Sequence, residues 1–341
     1  MLQLKNNTPF QANIAVFPNE QGIDTLYITV KATMTLGTKI ELAEAQRPVA
    51  LADEYWGEPG RSSLKSASDA HLGKPFTDVL VIGDACATDQ RPVTQLDVSV
   101  AVADRKKTVR VFGDRRWETD SKITPPARFD TMPLRYERAF GGLHEVDPEK
   151  QEVLFEPRNP VGSGFTGKRT KKEIEGITLP NLEDPRELIA KPSDRPQPAG
   201  FGAIAPSWEP RKSFAGTYDA AWQNSRAPYL PQDFDRRFFN MAHPDLVCRG
   251  YLRGGELVEV INASPRGPFR CTVPTCQLEA AVRVAGKTEK PTLNLETLII
   301  EPGASILCLT WRAVLPCDKK VLKVEQVELT LQRMDVQRTA A

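Results

Sequence analysis

The sequence predicts a mainly β fold with α+β character. Short alternating segments rich in β-branched residues lie near both ends of the chain, at a spacing of roughly ten residues in the C-terminal part. This pattern is typical of antiparallel sheets in a sandwich or barrel-like arrangement. The middle of the chain, 125–231, holds 15 of the 28 prolines, and proline is excluded from helix interiors and central strands. We therefore expect the sheets to flank a long irregular region rich in proline and glycine, with short helices.

The N-terminal part contains segments with a clear strand pattern. The run from Val79 to Ile82 is entirely apolar, as expected of a strand that is buried on both faces. Residues 103–106 can form a turn between two alternating segments, which predicts a β-hairpin over 95–112. The stretch 51–75 shows no period and is predicted to be a loop. The predicted strands are 13–17, 25–36, 77–87, 95–102 and 107–112.

The remainder of the chain divides into a helical and a β part. Two short helices are predicted at 218–223 and 234–241, with Thr217 and Asp233 as their N-caps. The chain is thus predicted to contain three regions, an N-terminal β region (1–124), an irregular region (125–248) and a C-terminal β region (249–341). We expect them to pack into one compact unit, whether or not the two β regions share a sheet. The predicted C-terminal strands are 256–262, 269–273, 278–284, 293–300, 305–311 and 321–331.

Composition narrows the class of protein. The 341 residues carry a net charge of +1, which gives no electrostatic reason to expect nucleic acid or an anionic membrane as a partner. The N-terminus lacks a secretory pattern, and no apolar run approaches the roughly 20 residues that a membrane helix needs. Six scattered cysteines in such a chain indicate reduced thiols, and we expect a cytoplasmic protein.

One segment resembles a phosphate-binding loop only in part. The sequence GSGFTGK at 162–168 matches G-x-x-x-x-G-K, but Arg169 stands where a hydroxyl residue should bind magnesium. The segment that follows is a poor helix and soon reaches Gly176, so it cannot direct backbone amides at a phosphate. A flexible glycine turn with a solvated basic cluster is the simpler interpretation.

Metal binding is not indicated by the cysteine and histidine spacing. Cys271 and Cys276 are five apart, and Cys308 and Cys317 are nine apart, whereas structural zinc sites use pairs separated by two to four residues. The cysteines are expected to be buried thiols that pack as small apolar side chains, and no metal or cofactor is predicted. The histidines, none of them in H-x-x-H or H-E-x-x-H, are His71, His144 and His243.

No catalytic motif stands out. There is no G-x-S-x-G elbow, and carboxylate pairs such as Asp233 with Asp235, or Glu137 with Glu145, have no geometry in a sequence. The run DFDRR at 233–237 is typical of a helix start, with acidic residues near the N-terminus and arginines one turn later. We expect no catalytic residues.

The segment 200–245 combines aromatic and arginine residues with fixed turns. Disordered segments are poor in aromatic residues, so this one is predicted to be ordered. Trp, Tyr and Arg are enriched in binding hot spots, although core packing and structural ion pairs would use the same residue types. The predicted partner-binding residues are Trp208, Arg211, Trp222, Arg226, Tyr229, Phe234, Arg236 and Arg237.

Several blocks, taken in order, resemble the bacterial domain-of-unknown-function family encoded beside type VI secretion spike genes. The resemblance covers about three quarters of the chain, roughly 1–280, and no single block would be specific by itself. The matching blocks are LADEYWGEPG (51–60), SASDAHLGKPFTDVLVIGDA (66–85), VFGDRRW (111–117), MPLRYERAFGG (132–142), RNPVGSGF (158–165), GFGAIAPSW (200–208), GTYDAAWQNSRAPYLPQDFDRRFFNMAHPD (216–245) and YLRGGELVEVIN (251–262).

The resemblance implies an accessory role. Members of that family are similar to adaptor chaperones that bind a toxin effector, often fused to or paired with a PAAR-repeat tip protein, and help to load it onto the VgrG spike. It implies no catalytic residues, no cofactor and no small-molecule substrate. Two alternatives remain: a hydrolase acting on wall or carbohydrate material with carboxylates from 219–245, and a structural component of the secretion apparatus.

Overall fold

A computed structural model describes residues 2–37, 39–87 and 91–336 of the chain. The helical elements within those residues are short: α1 (Lys171–Ile174), α2 (Ala220–Ser225) and 3-10 turns at Thr119–Ser121, Tyr136–Arg138, Arg211–Phe214, Arg236–Phe239, Pro244–Leu246 and Asp318–Lys323. In chain order the strands are β1 (Gln3–Asn7), β2 (Gln11–Pro18), β3 (Asp24–Leu36), β4 (Ile40–Leu42), β5 (Glu54–Tyr55), β6 (Leu64–Ser66), β7 (Asp78–Val81), β8 (Asp84–Cys86), β9 (Gln95–Val102), β10 (Arg105–Phe112), β11 (Thr131–Pro133), β12 (Phe140–Gly141), β13 (Leu143–Asp147), β14 (Glu152–Phe155), β15 (Ser163–Gly164), β16 (Leu182–Glu183), β17 (Leu257–Ile261), β18 (Phe269–Thr272), β19 (Thr275–Val284), β20 (Lys287–Glu289), β21 (Asn294–Glu301), β22 (Ile306–Pro316) and β23 (Val324–Asp335).

The largest sheet joins the two ends of the chain. Its order is β2-β3-β22-β21-β7, with β4 paired to the end of β3. Strands β3 and β22 are antiparallel over their whole length, from Thr25 opposite Pro316 to Thr35 opposite Ile306. Both strands are buried along most of their length, which explains why their sequences are apolar or β-branched at nearly every position. The N-terminal and C-terminal β regions therefore share one sheet.

Two further sheets have four and five strands, and four more consist of two short strands each, β11-β8, β12-β15, β13-β14 and β5-β6. The four-stranded sheet has the order β1-β23-β19-β20, and the five-stranded sheet has the order β16-β10-β9-β17-β18. The predicted hairpin is present as β9 and β10, joined by a tight turn in which Ala103 has a φ of 52°. The prediction of a mainly β fold with antiparallel sheets and short helices is confirmed. None of the sheets formed by the described residues closes into a barrel.

The irregular region is anchored to the largest sheet by a buried carboxylate at the start of β7. Asp78 accepts hydrogen bonds from the Asn240 side chain and the Met241 backbone N–H, both at 2.9 Å, and from Lys74 Nζ at 2.7 Å. The main hydrophobic core likewise includes Leu26, Phe201 and Val327. Side chains from the start, middle and end of the chain thus pack in one core.

The two helices of the irregular region begin later than predicted. The predicted caps bind each other instead, since Thr217 Oγ1 donates to Asp233 at 2.7 Å. Helix α2 is capped by Asp219, which accepts from the Trp222 N–H at 2.8 Å, and the second helix is reduced to the 3-10 turn Arg236–Phe239 capped by Asp235. The predicted loop over 51–75 also contains the short strands β5 and β6.

The glycine turn at 162–168 is packed, which corrects the expectation of a flexible loop. Strand β15 pairs in parallel with β12, and a Cβ on Gly162 would lie 2.6 Å from the carbonyl oxygen of Ala139. The helix that comes directly after it, α1, has four residues. The glycines here allow close backbone contact and do not form a phosphate-binding loop.

Candidate partner-binding site

Residues 216–239, which we term the aromatic lobe, are attached to the turn between β2 and β3. Arg236 forms two hydrogen bonds to the Glu20 carboxylate, at 2.7 and 2.9 Å. Arg226 donates to the Glu20 carbonyl and, at 2.8 Å, to the Leu230 carbonyl. The turn itself is held by Asn19, whose side-chain oxygen accepts two backbone N–H bonds at 3.0 Å. The lobe therefore has a fixed position on the scaffold.

Three aromatic side chains reach the surface of the aromatic lobe. Tyr218 is 53% exposed and Tyr229 is 44% exposed, while Trp222 is half-buried. The rings of Tyr218 and Trp222 meet edge to face with centroids 4.7 Å apart. Trp222 also donates its indole N–H to the Tyr229 carbonyl at 2.8 Å. These rings are held in place by the lobe while part of their area remains open to a partner.

The other predicted residues lie deeper in the structure. Trp208 is buried and packs edge-on against Tyr136, with centroids 5.9 Å apart. Phe234 is half-buried against two neighbouring phenylalanines. The guanidinium groups of Arg226 and Arg236 donate hydrogen bonds to Glu20 in the turn between β2 and β3. Phe234, Arg226 and Arg236 therefore hold the lobe from within, whereas Trp208 packs outside it. Direct contact of these residues with a partner stays a prediction.

Two of the predicted arginines, Arg211 and Arg237, lie together in a pocket of about 450 Å³, which we term the arginine pocket. Arg105 and Arg249 also line it, and among the described residues in its wall none is an aspartate or a glutamate. Its remaining wall is mostly apolar and consists of Phe76, Ile204, Pro210, Phe214, Asn240, Ala242, Pro244, Val247 and Cys248.

Arg211 is fixed in this pocket by backbone carbonyls. Its Nε donates to Phe238 at 2.8 Å and its Nη1 donates to Ile204 at 2.6 Å. The side chain is buried, and in the described part of the chain no carboxylate lies within ion-pair distance of it. Burial lowers the pKa of Arg211, with partial compensation by more distant acidic groups such as Asp78. A buried guanidinium without a paired anion is electrostatically unsatisfied.

A second depression, which we term the wide cleft, adjoins the arginine pocket. It has a volume of about 640 Å³, and its wall shares Ile204, Pro210 and Pro244 with that pocket. Its polar lining includes Arg158, Asp184, Arg186, Glu187, Glu209, Ser213, His243 and Asp245.

A buried lysine lies beneath the histidine of the wide cleft. Lys107 Nζ is 3.2 Å from His243 Nε2 and 3.7 Å from the Asp245 carboxylate. Burial lowers the pKa of Lys107 and, together with the lysine charge, lowers the pKa of His243 to about 4. Arg186 bridges Asp184 and Asp245 at 2.7 and 3.0 Å. These side chains form one network at the wall of the cleft, and the low pKa of His243 keeps it neutral at pH 7.

Lys107 was not among the site residues predicted from the sequence, and His243 was predicted to have no partner in a metal-binding motif. A signal for the lysine exists, because Lys107 occupies the same inward-facing phase of β10 as Val109 and Val111. A charged residue at a buried position of an alternating strand indicates a specific partner. That partner, His243, is 136 positions away and follows an irregular region, so its identity could not be read from the pattern.

The carboxylates of the lobe act as local hydrogen-bond acceptors. Asp219 caps α2, Asp233 binds Thr217, and Asp235 binds Arg237. Hydrogen bonds with the Thr217 backbone and side chain lower the pKa of Asp233, and the hydrogen bond from the Arg237 side chain lowers that of Asp235.

The six cysteines are free thiols, and five of them are buried. Within the described residues no group of three or more histidine, cysteine, aspartate or glutamate side chains is placed to hold a metal ion. A helix long and apolar enough to cross a membrane is likewise not found in that part of the chain.

A family model matches residues 21–312, which is most of the chain and includes both depressions and the aromatic lobe. The chain belongs to DUF2169, described as an uncharacterized protein conserved in bacteria. No curated protein and no solved structure matches the chain in the same comparisons. The family description assigns no activity, so function has to be argued from the site.

Proposed function

We propose that this chain is a type VI secretion adaptor chaperone, which binds a toxin effector with its PAAR tip in the bacterial cytoplasm and helps to load it onto the VgrG spike. The observation that carries the proposal is the aromatic lobe, whose exposed rings are held on a β scaffold by the Glu20–Arg236 ion pair. The resemblance of the blocks 200–208 and 216–245 to the secretion-associated family supports the same role, because these blocks form this part of the fold.

The physical requirements of a loader agree with this arrangement. Rings that are already ordered lose little conformational entropy on binding, so their apolar area contributes more to affinity. A standard interface buries about 1,600 Å² in total, of which a few aromatic and arginine anchors supply most of the binding energy. Tyr218, Trp222 and Tyr229 would be such anchors, with the arginine pocket adjacent to the segment that carries them.

The hydrolase alternative has less support. A glycosidase needs one carboxyl group with a raised pKa near a second carboxylate. Within 219–245 the pKa values of Asp233 and Asp235 are lowered, because hydrogen bonds to Thr217 and Arg237 stabilise the charged forms. A structural component of the secretion apparatus would be found in secreted or sheath fractions, whereas an adaptor would be found only in the cytosol, so cell fractionation distinguishes the two.

The test is co-expression of the chain with the effector, PAAR and spike genes encoded beside it, followed by affinity capture and size-exclusion chromatography with light scattering. We expect a stoichiometric complex, and we expect the effector to become insoluble or to be lost when this chain is omitted. Folded protein at micromolar concentration that captures none of these partners would refute the adaptor role.

A further inference from the structure

We infer that the arginine pocket binds the C-terminal carboxylate of a partner polypeptide whose last residue is apolar. The inference rests on the proposed function in that it names what part of a partner the adaptor holds. Four arginines and an acid-free wall select an anion, while the apolar wall selects a ligand that carries the anion on a hydrophobic body.

The charge of the pocket favours an anion even when nearby ion pairs are counted. Arg249 and Arg105 lie 3.5 and 3.9 Å from Asp104, and Arg237 is paired with Asp235 at 2.6 Å. Four arginines therefore share two carboxylates, both outside the pocket wall. The pocket keeps an excess of positive charge beside an apolar surface, where an ionic hydrogen bond is stronger than in water.

Arg211 is already oriented for such a ligand. Carbonyls hold its Nε and Nη1, and its Nη2 has no hydrogen-bond partner in the described part of the chain. Since Arg211 lines the pocket, Nη2 is the donor left for a ligand. Arg237 lies against the ring of Phe214 with its guanidinium 4.4 Å from the ring centroid, which limits its freedom as well. The donors are thus ordered before a ligand arrives.

Asn240 is the uncharged polar residue of the pocket wall, and it favours a peptide ligand over a simple anion. Its side-chain nitrogen is held by Asp78 and by the Phe76 carbonyl, while its side-chain oxygen is buried and has no hydrogen-bond partner among the described residues. A buried acceptor of this kind requires a donor. A peptide C-terminus offers a carboxylate and a backbone N–H close together, together with an apolar side chain, and so matches all three parts of the pocket.

The wide cleft provides room for the residues that precede the terminus. The two depressions share part of their walls at Ile204, Pro210 and Pro244, so we expect a chain that ends in the arginine pocket to pass over these residues into the cleft. The cleft also carries the buried hydroxyl of Tyr136, which has no hydrogen-bond partner among the described residues. A small carboxylate would leave the cleft and this hydroxyl unused.

The test measures binding of a fluorescein-labelled hexapeptide of glycine and serine that ends in leucine, with a free C-terminus or as the C-terminal amide. We expect the free acid to bind at least about tenfold more tightly than the amide, because charge-assisted hydrogen bonds from arginine are lost. Equal affinity of acid and amide, or no binding of either to folded protein at millimolar peptide, overturns the inference. So does octanoate if it competes as well as the unlabelled peptide, because the site would then be one for small carboxylates.

Two exposed arginines give a matched pair of variants. Arg237→Gln removes a pocket arginine whose side chain is largely exposed, so the variant is expected to fold, and the preference for the acid should fall at least about threefold. Arg283→Gln breaks an exposed pair with Glu325, outside the pocket and outside the aromatic lobe, and should leave the preference unchanged. If Arg237→Gln keeps the full preference, and a folded Arg211→Gln does so too, the pocket is not the site.

Failure of this inference can be separated from failure of the adaptor role. Partners whose C-termini are extended by a short glycine–serine tag are co-expressed with the chain and captured as above. Unchanged capture of every extended partner would leave the adaptor role intact and overturn carboxylate binding. Selective loss of capture for one extended partner identifies the polypeptide whose terminus the pocket holds.

Discussion

Glu20 and Arg236 form a two-point ion pair although 216 positions separate them in the chain. Burial by itself would raise the pKa of the Glu20 carboxyl, but the hydrogen bond and charge of Arg236 bring that pKa below its ordinary value. The carboxylate is therefore ionised at neutral pH and holds the aromatic lobe on the turn between β2 and β3.

Removal of this ion pair should loosen the lobe without unfolding the scaffold. Glu20→Gln is expected to raise backbone hydrogen exchange across 216–239 and to lower the free energy of unfolding by about 1 kcal/mol, since the pair is only partly buried. Hydrogen-exchange mass spectrometry and urea unfolding measure the two effects. Lys5→Gln, which breaks the exposed pair with Glu328, serves as the control. Exchange in the lobe that stays as slow as in the wild type would contradict the anchoring role.

Trp222→Ala should weaken partner capture more than it weakens the fold. The ring packs on Tyr218 and is only half-buried within the chain, so truncation removes a contact surface and little of the core. Affinity for the captured partner is expected to fall by about 2 kcal/mol, or about thirtyfold, as measured by calorimetry on the purified complex.

Phe155→Ala is the matched control for Trp222→Ala. Its side chain is 52% exposed on β14, outside the lobe. Equal losses of affinity in the two variants would show that the lobe is not the preferred contact surface.

The buried pair of Lys74 and Asp78 should be essential for stability. Both side chains are almost completely buried, and Asp78 also accepts two hydrogen bonds from Asn240 and Met241. Asp78→Ala leaves the Lys74 charge without its counter-ion and the Met241 N–H without its acceptor, so we expect a loss of about 3–5 kcal/mol in the free energy of unfolding. Asp147→Ala breaks the exposed pair with Lys150 and should cost less than about 1 kcal/mol in the same urea titration.

The pH dependence of stability should contain a contribution from His243. Its pKa is lowered to about 4 in the folded protein, whereas an unfolded histidine titrates near pH 6.5. As the pH falls from 6.5 towards 4, the unfolded chain takes up a proton that the folded chain does not, and stability decreases. Between pH 7 and pH 5 the wild type should lose about 2 kcal/mol more than His243→Gln.

Comparison of the wild type with His243→Gln removes the contribution of His71 to the pH dependence of stability, because that contribution is the same in both proteins. Burial and the nearby Arg312 charge also lower the pKa of His71. Identical pH profiles for wild type and His243→Gln would show that folding does not lower the pKa of His243.

The sequence indicated the strands better than it indicated the site. Alternation and β-branching marked β3, β9 and β10 because both properties follow from a pleated, buried environment. Helix caps were misassigned because Thr217 and Asp233 are both good caps that satisfy each other instead.

The site depends on contacts between distant residues, which no local pattern contains. Arg211 and Arg237 could be selected by residue type, but their meeting with Arg105 and Arg249 in one pocket depends on the course of an irregular backbone. The same holds for Lys107 and His243, which lie on a strand and on a turn far apart in the sequence.

The pairing of β3 with β22 constrains how this protein is made. A ribosome releases β22 only after more than 300 residues have been synthesised, and until then the apolar edge of β3 has no permanent neighbour on that side. The turn that carries Glu20 leads directly into β3, so we expect the aromatic lobe to lose its fixed position in a chain that lacks β22. Such a truncated chain would then compete poorly for the same partner.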